Sequence, residues 1–236
     1  MGAEEDEATL VSVPPYHIAG IAAVLSSIYG CRRIVQLADF GAAAWLEMCE
    51  HEGITNAFVV PTMLTRIIEH LDTIRSRPDL PRLKAIAYGV GKMPVPIIER
   101  ALDMFPDVSF TTAYGLTETS STIALLGPEE HREAFRSDDP AVRRRLGSVG
   151  QALPSVELEV RDAEGRTLSA NQPGEIYVRG SQVAGEYLER KALDDDGWFP
   201  TRDAGYLDEQ GFLYLSGRAD DVIVRGGENI SPAEIE

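Results

Sequence analysis

The chain has 236 residues, 38 acidic against 22 basic, with a formal net charge of −16 and 44% hydrophobic content. That balance suits a folded globular chain with an ordinary core, and its field repels nucleic acid and anionic membranes, which are excluded as partners. The two cysteines, Cys31 and Cys49, have neither metal-type nor disulfide-framework spacing, and no apolar run reaches the roughly 18–20 residues of a membrane span, so a cytoplasmic setting is expected.

Taken in chain order, the first half alternates two periods. TLVSV predicts a strand and IAGIAAVLSSIYG a helix ended by Gly30. RRIVQL is a strand, followed by a helix in GAAAWLEMCEHEG with Ala44, Trp45, Met48 and Cys49 on one face and a stop at Gly53. TNAFVV is a strand, and the helix after it starts at Pro61 with Leu64, Ile67, Ile68 and Leu71 in one stripe. LKAIAYG, VPIIERALDMF and VSFTTAYG complete the series as strand, helix and strand. Strand and helix joined by short links argue for a parallel sheet with right-handed crossovers. RRIVQL, TNAFVV and LKAIAY have the composition of strands covered on both faces.

After about residue 146 the helical period fades. GPEEHREAFRSDDPAVRRRLGSVG is charged enough to predict an exposed helix or loop. VELEVRD and GEIYVRG read as strands, and AGYLDEQGFLYLSG as a hairpin. The predicted fold is α/β: a mostly parallel sheet flanked by helices over 1–146, then a small antiparallel, barrel-like subdomain over 147–217. Residues 218–236 would hold VRGGEN as a glycine turn and SPAEIE as a new helix start, as at a junction to a further domain.

Three places carry candidate chemistry. TTAYGLTETSS follows a parallel strand at its carboxyl end, where open α/β sheets bind ligands. Thr117 can donate to a phosphate oxygen, Glu118 offers a hard oxygen to Mg²⁺, and Tyr114 could stack on a base. A capped, ligand-free helix start explains the same hydroxyls and leads on chemistry alone. AYGVGKMPVP places Gly89 and Gly91 where a backbone can approach a flat ligand, although an ordinary turn explains them equally. In TRDAGY, Asp203 can accept both hydroxyls of a ribose, with Arg218 as a second contact.

Together these segments resemble the adenylate-forming superfamily, which includes acyl-CoA synthetases. YGLTET resembles its Y-G-x-T-E element, GEIYVRG its G-E strand, and VPPYHIAGI its histidine element. TRDAGY resembles T-G-D with Arg202 in place of glycine, and GRADDVIVRGGENISPAEIE resembles the hinge segment. The resemblance implies an ATP-dependent carboxylic acid–CoA ligase that forms an acyl-AMP and passes the acyl group to CoA. It implies that Gly89, Val90, Gly91, Tyr114 and Gly115 border the adenine, and that Thr117 contacts the α-phosphate. Glu118 would hold Mg²⁺, Asp203 and Arg218 the ribose, and His17 would lie by the acyl pocket, while a histidine satisfied on a core-facing turn is the competing reading. Asp220 would be the hinge.

A fatty acid is the expected substrate, with aryl acids and steroid side chains left open. Val90, Met93, Ile18 and STIALL are pocket candidates. The family's glycine- and hydroxyl-rich phosphate loop does not occur, and Lys84, Lys92 and Lys191 lack the context of its catalytic lysine. The chain is therefore expected to be an internal fragment, inactive alone and prone to self-association. The alternative is a nucleotide- or acyl-binding module without turnover.

Overall fold

The computed structural model describes residues 6–219 except 76, 185, 188, 189 and 192, with the backbone of Ile223–Arg225 and Glu228–Ile230. Of Glu186–Tyr187 and Arg190–Lys191 it describes the backbone alone. Asp220 and the SPAEIE helix start lie outside the described residues.

The elements in order are β1 Ala8–Val11, α1 Ile18–Tyr29, β2 Arg33–Gln36, α2 Ala42–His51, β3 Asn56–Val59 and α3 Pro61–Ile74. There follow β4 Ala85–Gly89, α4 Val95–Met104, β5 Ser109–Leu116, a 3₁₀ turn Thr117–Thr119 and β6 Ser121–Leu126. Next come α5 Pro128–Arg136, α6 Pro140–Arg143, β7 Gln151–Ala152, β8 Val156–Arg161 and β9 Gly174–Gly180. The last are β10 Glu186–Tyr187, β11 Arg190–Lys191, β12 Phe199–Leu207, β13 Leu213–Arg218, β14 Ile223–Arg225 and β15 Glu228–Ile230. The chain divides into two compact units, residues 1–113 with 127–147, and residues 114–126 with 148–236.

The first unit carries parallel strands in the order β2-β1-β3-β4-β5, with Thr9 opposite Ile34 and Asn56, Asn56 opposite Ala85, and Ala85 opposite Ser109. The α3 stripe buries Leu64, Ile67, Ile68 and Leu71, as its period predicts. With Trp45, Ile86, Tyr88, Ile98, Leu102 and Phe110 it forms one continuous core. Burial pushes the Cys49 thiol up to about 12, which makes it an inert core residue.

Three expectations are corrected here. The RRIVQL strand is not covered on both faces: it is the edge of the parallel order, and Arg33, Ile34 and Gln36 are exposed. Ala44 faces solvent while Trp45 and Cys49 are buried, because β-strand packing selects a narrower stripe of α2 than apolarity alone suggests. The charged stretch after Gly127 is not merely an exposed helix or loop. In α5 both His131 and Ala134 are fully buried. Arg132 donates to the carbonyls of Phe105 (3.2 Å) and Val108 (2.6 Å), satisfying acceptors just past the end of α4.

The second unit pairs β6 antiparallel with β7, and arranges four antiparallel strands in the order β13-β12-β9-β8. Ile176, Val178, Leu213, Val156, Ile123 and Tyr114 form its core. The hydroxyl-rich segment after Tyr114 starts no α-helix. It makes one 3₁₀ turn and passes into β6.

A backbone irregularity singles out Arg202. It lies where the β12–β9 register shifts, with φ at 59°, in the left-handed region that favours glycine. Arg202→Gly is expected to raise the unfolding free energy by about 0.5–1 kcal/mol, by removing the Cβ clash of that conformation. Urea unfolding measures it, and an unchanged or lower midpoint contradicts the strain.

Candidate functional site

Tyr114 ends the buried part of β5, and its ring belongs to the second unit's core. Its hydroxyl donates to Asp203 Oδ2 at 2.7 Å. Burial, and then the Asp203 charge, pushes the Tyr114 phenol far above its usual range, so it remains a proton donor. Arg218 Nη1 donates to Asp203 Oδ1 at 2.9 Å, from the facing position on β13. The Asp203 backbone N–H donates to Thr201 Oγ1 (3.1 Å), which itself donates to the Ile176 carbonyl (2.8 Å). The carboxylate is thus held by both oxygens and from its own backbone. It stays partly accessible, with 15% of its side chain exposed.

Gly115 follows, and only glycine fits there. A Cβ at this position would lie 1.7 Å from the Ser121 carbonyl oxygen, where the chain returns as β6. The intervening turn sorts the hydroxyls. Thr119 is buried, and its Oγ1 accepts from Leu116 N–H at 2.9 Å while lying 2.8 Å from the Ser121 carbonyl. Thr117 is exposed and Glu118 half-buried. Thr111 and Thr112 are buried further up β5. Of the hydroxyls that drew attention in the sequence, several are therefore structural and Thr117 is one left facing solvent.

The second unit thus joins Tyr114, Asp203 and Arg218 by hydrogen bonds, and it also holds Gly115, Thr117 and Glu118, which follow Tyr114 in the chain. His17, Gly89, Val90 and Gly91 belong to the first unit. His17 is exposed at the start of α1, its ring tilted against Tyr16 at 4.7 Å, so it is not a core-facing histidine. Beside Gly89 the room a side chain would need is already taken: a Cβ would lie 2.3 Å from the Ala113 carbonyl oxygen of the adjacent strand. Val90 is exposed in the left-handed region at φ 72°, and Gly91 packs by Pro61. Met93 is buried in the core and Ile18 half-buried.

A model of the AMP-binding enzyme family matches residues 1–188. The chain belongs to that family. Among its relatives, the 2-succinylbenzoate–CoA ligase of Bacillus pumilus is 35% identical over 241 residues, 100% of this chain and 46% of that protein. The solved O-succinylbenzoate coenzyme A synthetase of Bacillus subtilis, in complex with ATP and magnesium, superimposes with a TM-score of 0.84 at 32% identity, over 100% of this chain and 46% of that one. The amide bond synthetase McbA of Marinactinospora thermotolerans superimposes with a TM-score of 0.84 at 30% identity, over 100% of this chain and 45% of that one. The chain spans about half the length of the relatives it matches. Both YGLTET and GEIYVRG lie inside the residues that the AMP-binding enzyme model matches, while TRDAGY lies beyond them but within the aligned length of the relatives.

The residues that sequence reasoning missed are those with no local signature. Gln182 bridges the turn after Thr117, and His131 braces β4 and β5 from within the first unit. A glutamine in a turn and a histidine in a charged helix carry no pattern that marks them.

Proposed function

We propose that this chain is the nucleotide-handling portion of an acid–thiol ligase that converts a carboxylic acid to its acyl-AMP with ATP, then to a thioester with CoA. The observation that carries the reading is the Asp203 carboxylate, anchored by Tyr114 and Arg218 yet partly open. A carboxylate offers about four lone-pair sites. Two are engaged by the anchors, which leaves capacity for two donors, as a ribose diol supplies.

The residues also fit a divalent cation of the magnesium kind. Among the described residues no cluster of three or more acidic, histidine or cysteine side chains could cage a metal. A cation that keeps its waters and takes one protein carboxylate plus phosphate oxygens needs no such cage, and Glu118 supplies that carboxylate. Bound there, Mg²⁺ would neutralise charge on the phosphates. Thr117 would donate its hydroxyl to an α-phosphate oxygen, and Asp203 with Arg218 would orient the ribose so that the α-phosphorus faces the incoming carboxylate. Asp220 is proposed as the hinge to a further domain, and His17 as a residue of the acyl side.

For the acid, we favour an aryl carboxylate of the 2-succinylbenzoate kind over a fatty acid. The support is similarity to ligases of that name along the whole of this chain. Calorimetry of the 236-residue chain tests the reading with AMP, adenosine, and non-hydrolysable aryl- and fatty-acyl-AMP analogues. Binding of AMP that depends on Asp203, with the aryl analogue tighter than the fatty one, supports it. No binding at millimolar AMP refutes it. A binding module without turnover gives the same calorimetry but no ATP–pyrophosphate exchange in the longer protein.

The chain is also proposed to self-associate through α1. Ile21, Leu25, Ile28 and Tyr29 of that helix are exposed, up to 94% at Tyr29, and α1 holds no ionisable side chain except that phenol. The double substitution Leu25→Glu with Ile28→Glu is expected to leave a monomer by light scattering at concentrations where the unsubstituted chain is oligomeric. A monomer in both cases removes the proposal.

A further inference from the structure

The turn that carries Thr117 and Glu118 is conformationally expensive. It ends in two consecutive non-glycine residues at positive φ, Ser120 at 52° and Ser121 at 97°. Such pairs persist only where the surroundings over-determine them. Besides the Thr119 hydroxyl within the turn itself, the surroundings include a short segment after β9. Gln182 Nε2 donates to the carbonyls of both Thr119 (2.9 Å) and Thr122 (2.8 Å), one on each side of the strained pair. Its own carbonyl accepts from Ser120 Oγ (3.0 Å). Two residues on, the Ala184 N–H donates to the Glu118 carbonyl at 2.7 Å. The carboxamide is itself oriented, because Ser155 Oγ donates to Gln182 Oε1 at 2.8 Å. Both amide hydrogens and the amide oxygen are thereby used, which fixes which way the side chain points.

We infer that Gln182 is a positioning residue for Thr117 and Glu118: its carboxamide bridges the strained pair and so holds the turn on which the phosphate- and metal-facing groups stand. Gln182 touches neither nucleotide nor metal in this scheme. It acts through the backbone at residues 118–122. The inference rests on the nucleotide reading of this site and adds a residue 60 or more positions away in sequence that no motif marks. Without the bridge, the chemistry of Thr117 and Glu118 is unchanged but their direction is not.

The test uses Gln182→Met, which keeps the length and removes both donors, and Ser155→Ala, which removes only the orienting bond. Two measurements are made on each. The first is amide hydrogen exchange across residues 117–123. The second is the preference for AMP over adenosine, which isolates the phosphate contribution from the ribose contribution. Gln182→Met is expected to accelerate exchange about tenfold or more in that segment. It should erase most of an AMP preference of about tenfold while leaving adenosine affinity within about twofold, since one or two phosphate hydrogen bonds are at stake. Ser155→Ala should shift both in the same direction by less, and it reports even where the methionine variant fails to fold.

Unchanged exchange overturns the inference. Faster exchange with an intact AMP preference also overturns it, because the glutamine would then be structural only. Asp203→Ala separates the two levels. If it abolishes adenosine binding while both Gln182 and Ser155 variants behave as the parent, the nucleotide site stands and the positioning role falls. If the parent chain binds neither adenosine nor AMP, both fall together.

Discussion

Asp203→Ala is expected to weaken AMP binding by at least about 100-fold, the consequence of losing two hydrogen bonds from ribose hydroxyls to a charged acceptor at about 1.5–3 kcal/mol each. Two features of the structure argue for an effect at the upper end. The carboxylate is held by the Tyr114 hydroxyl at 2.7 Å and by Arg218 at 2.9 Å, so it is aimed before ligand arrives and binding forfeits little side-chain entropy. Its removal also strands the buried Tyr114 hydroxyl, which burial alone keeps protonated. Asp203→Asn keeps one acceptor oxygen and the same shape, so a smaller loss is expected. Calorimetry on the three chains ranks them aspartate, asparagine, alanine. Equal AMP affinity in all three removes Asp203 from the site.

The second large effect is on stability and lies in the first unit. His131 has no exposed surface, and its Nδ1 sits 2.7 Å from the Gly127 carbonyl, which can only accept. Nδ1 therefore carries the hydrogen, and Nε2 accepts from the Tyr88 hydroxyl at 2.9 Å, with Thr112 Oγ1 at 3.3 Å. Burial lowers the imidazole from 6.5 to about 4, against smaller opposing contributions from the Gly127 hydrogen bond and Glu130.

The sign is fixed by which state takes the proton first. The unfolded histidine binds a proton as pH falls through about 6.5, and the native one not until about 4. Stability from this group is fully present above about pH 6.5 and is lost progressively down to about pH 4, a fall of about 3 kcal/mol at 1.36 kcal/mol per pH unit. The many carboxylates of an acidic chain titrate in the same range, so the experiment compares variants. His131→Gln cannot titrate. It should cost about 2–4 kcal/mol at pH 7, by leaving buried partners of the ring poorly paired. The gap to the parent should narrow by about 3 kcal/mol at pH 4. A gap that does not change with pH shows that the ring is not buried in its neutral form.

How much of this was legible in the residues depends on the range over which each feature is encoded. The stripe Leu64, Ile67, Ile68 and Leu71 is a local period, and it is buried as read. The alternation of strand and helix through β5 is local too, and short links force a parallel order. Residue types and position offered Tyr114, Thr117, Glu118, Asp203 and Arg218 as candidates, with a ligand-free helix start leading at Thr117 and Glu118 until the resemblance to the adenylate-forming superfamily tied the segments together. Arg202 stood out as the residue in a place where glycine is usual, and its left-handed φ gives the physical content of that observation.

The tertiary structure decided what no local period could. Tyr114 and Asp203 lie 89 residues apart; the β12–β13 pairing sets Arg218 opposite Asp203, and the packing of the Tyr114 ring into the second unit's core brings its hydroxyl to the same carboxylate. To the expected part of Tyr114 this adds two contacts: its hydroxyl holds Asp203, and its ring packs in the second unit's core. The same distance dependence hid Gln182, since a glutamine in a turn gains meaning only from the two carbonyls it meets. It hid His131, because the charged residues around it, Glu129, Glu130, Arg132 and Glu133, give α5 a solvated look while one face of the helix turns inward. And it reversed the reading of RRIVQL, whose apolar residues suit a central strand but which pairs on one side only, with β1. Composition specifies which side chains tolerate burial; strand neighbours specify which of them are buried and which polar groups face each other. For this chain the sequence by itself determined the α/β alternation and the candidate residue types, and the tertiary packing decided which of them meet, Tyr114, Asp203 and Arg218.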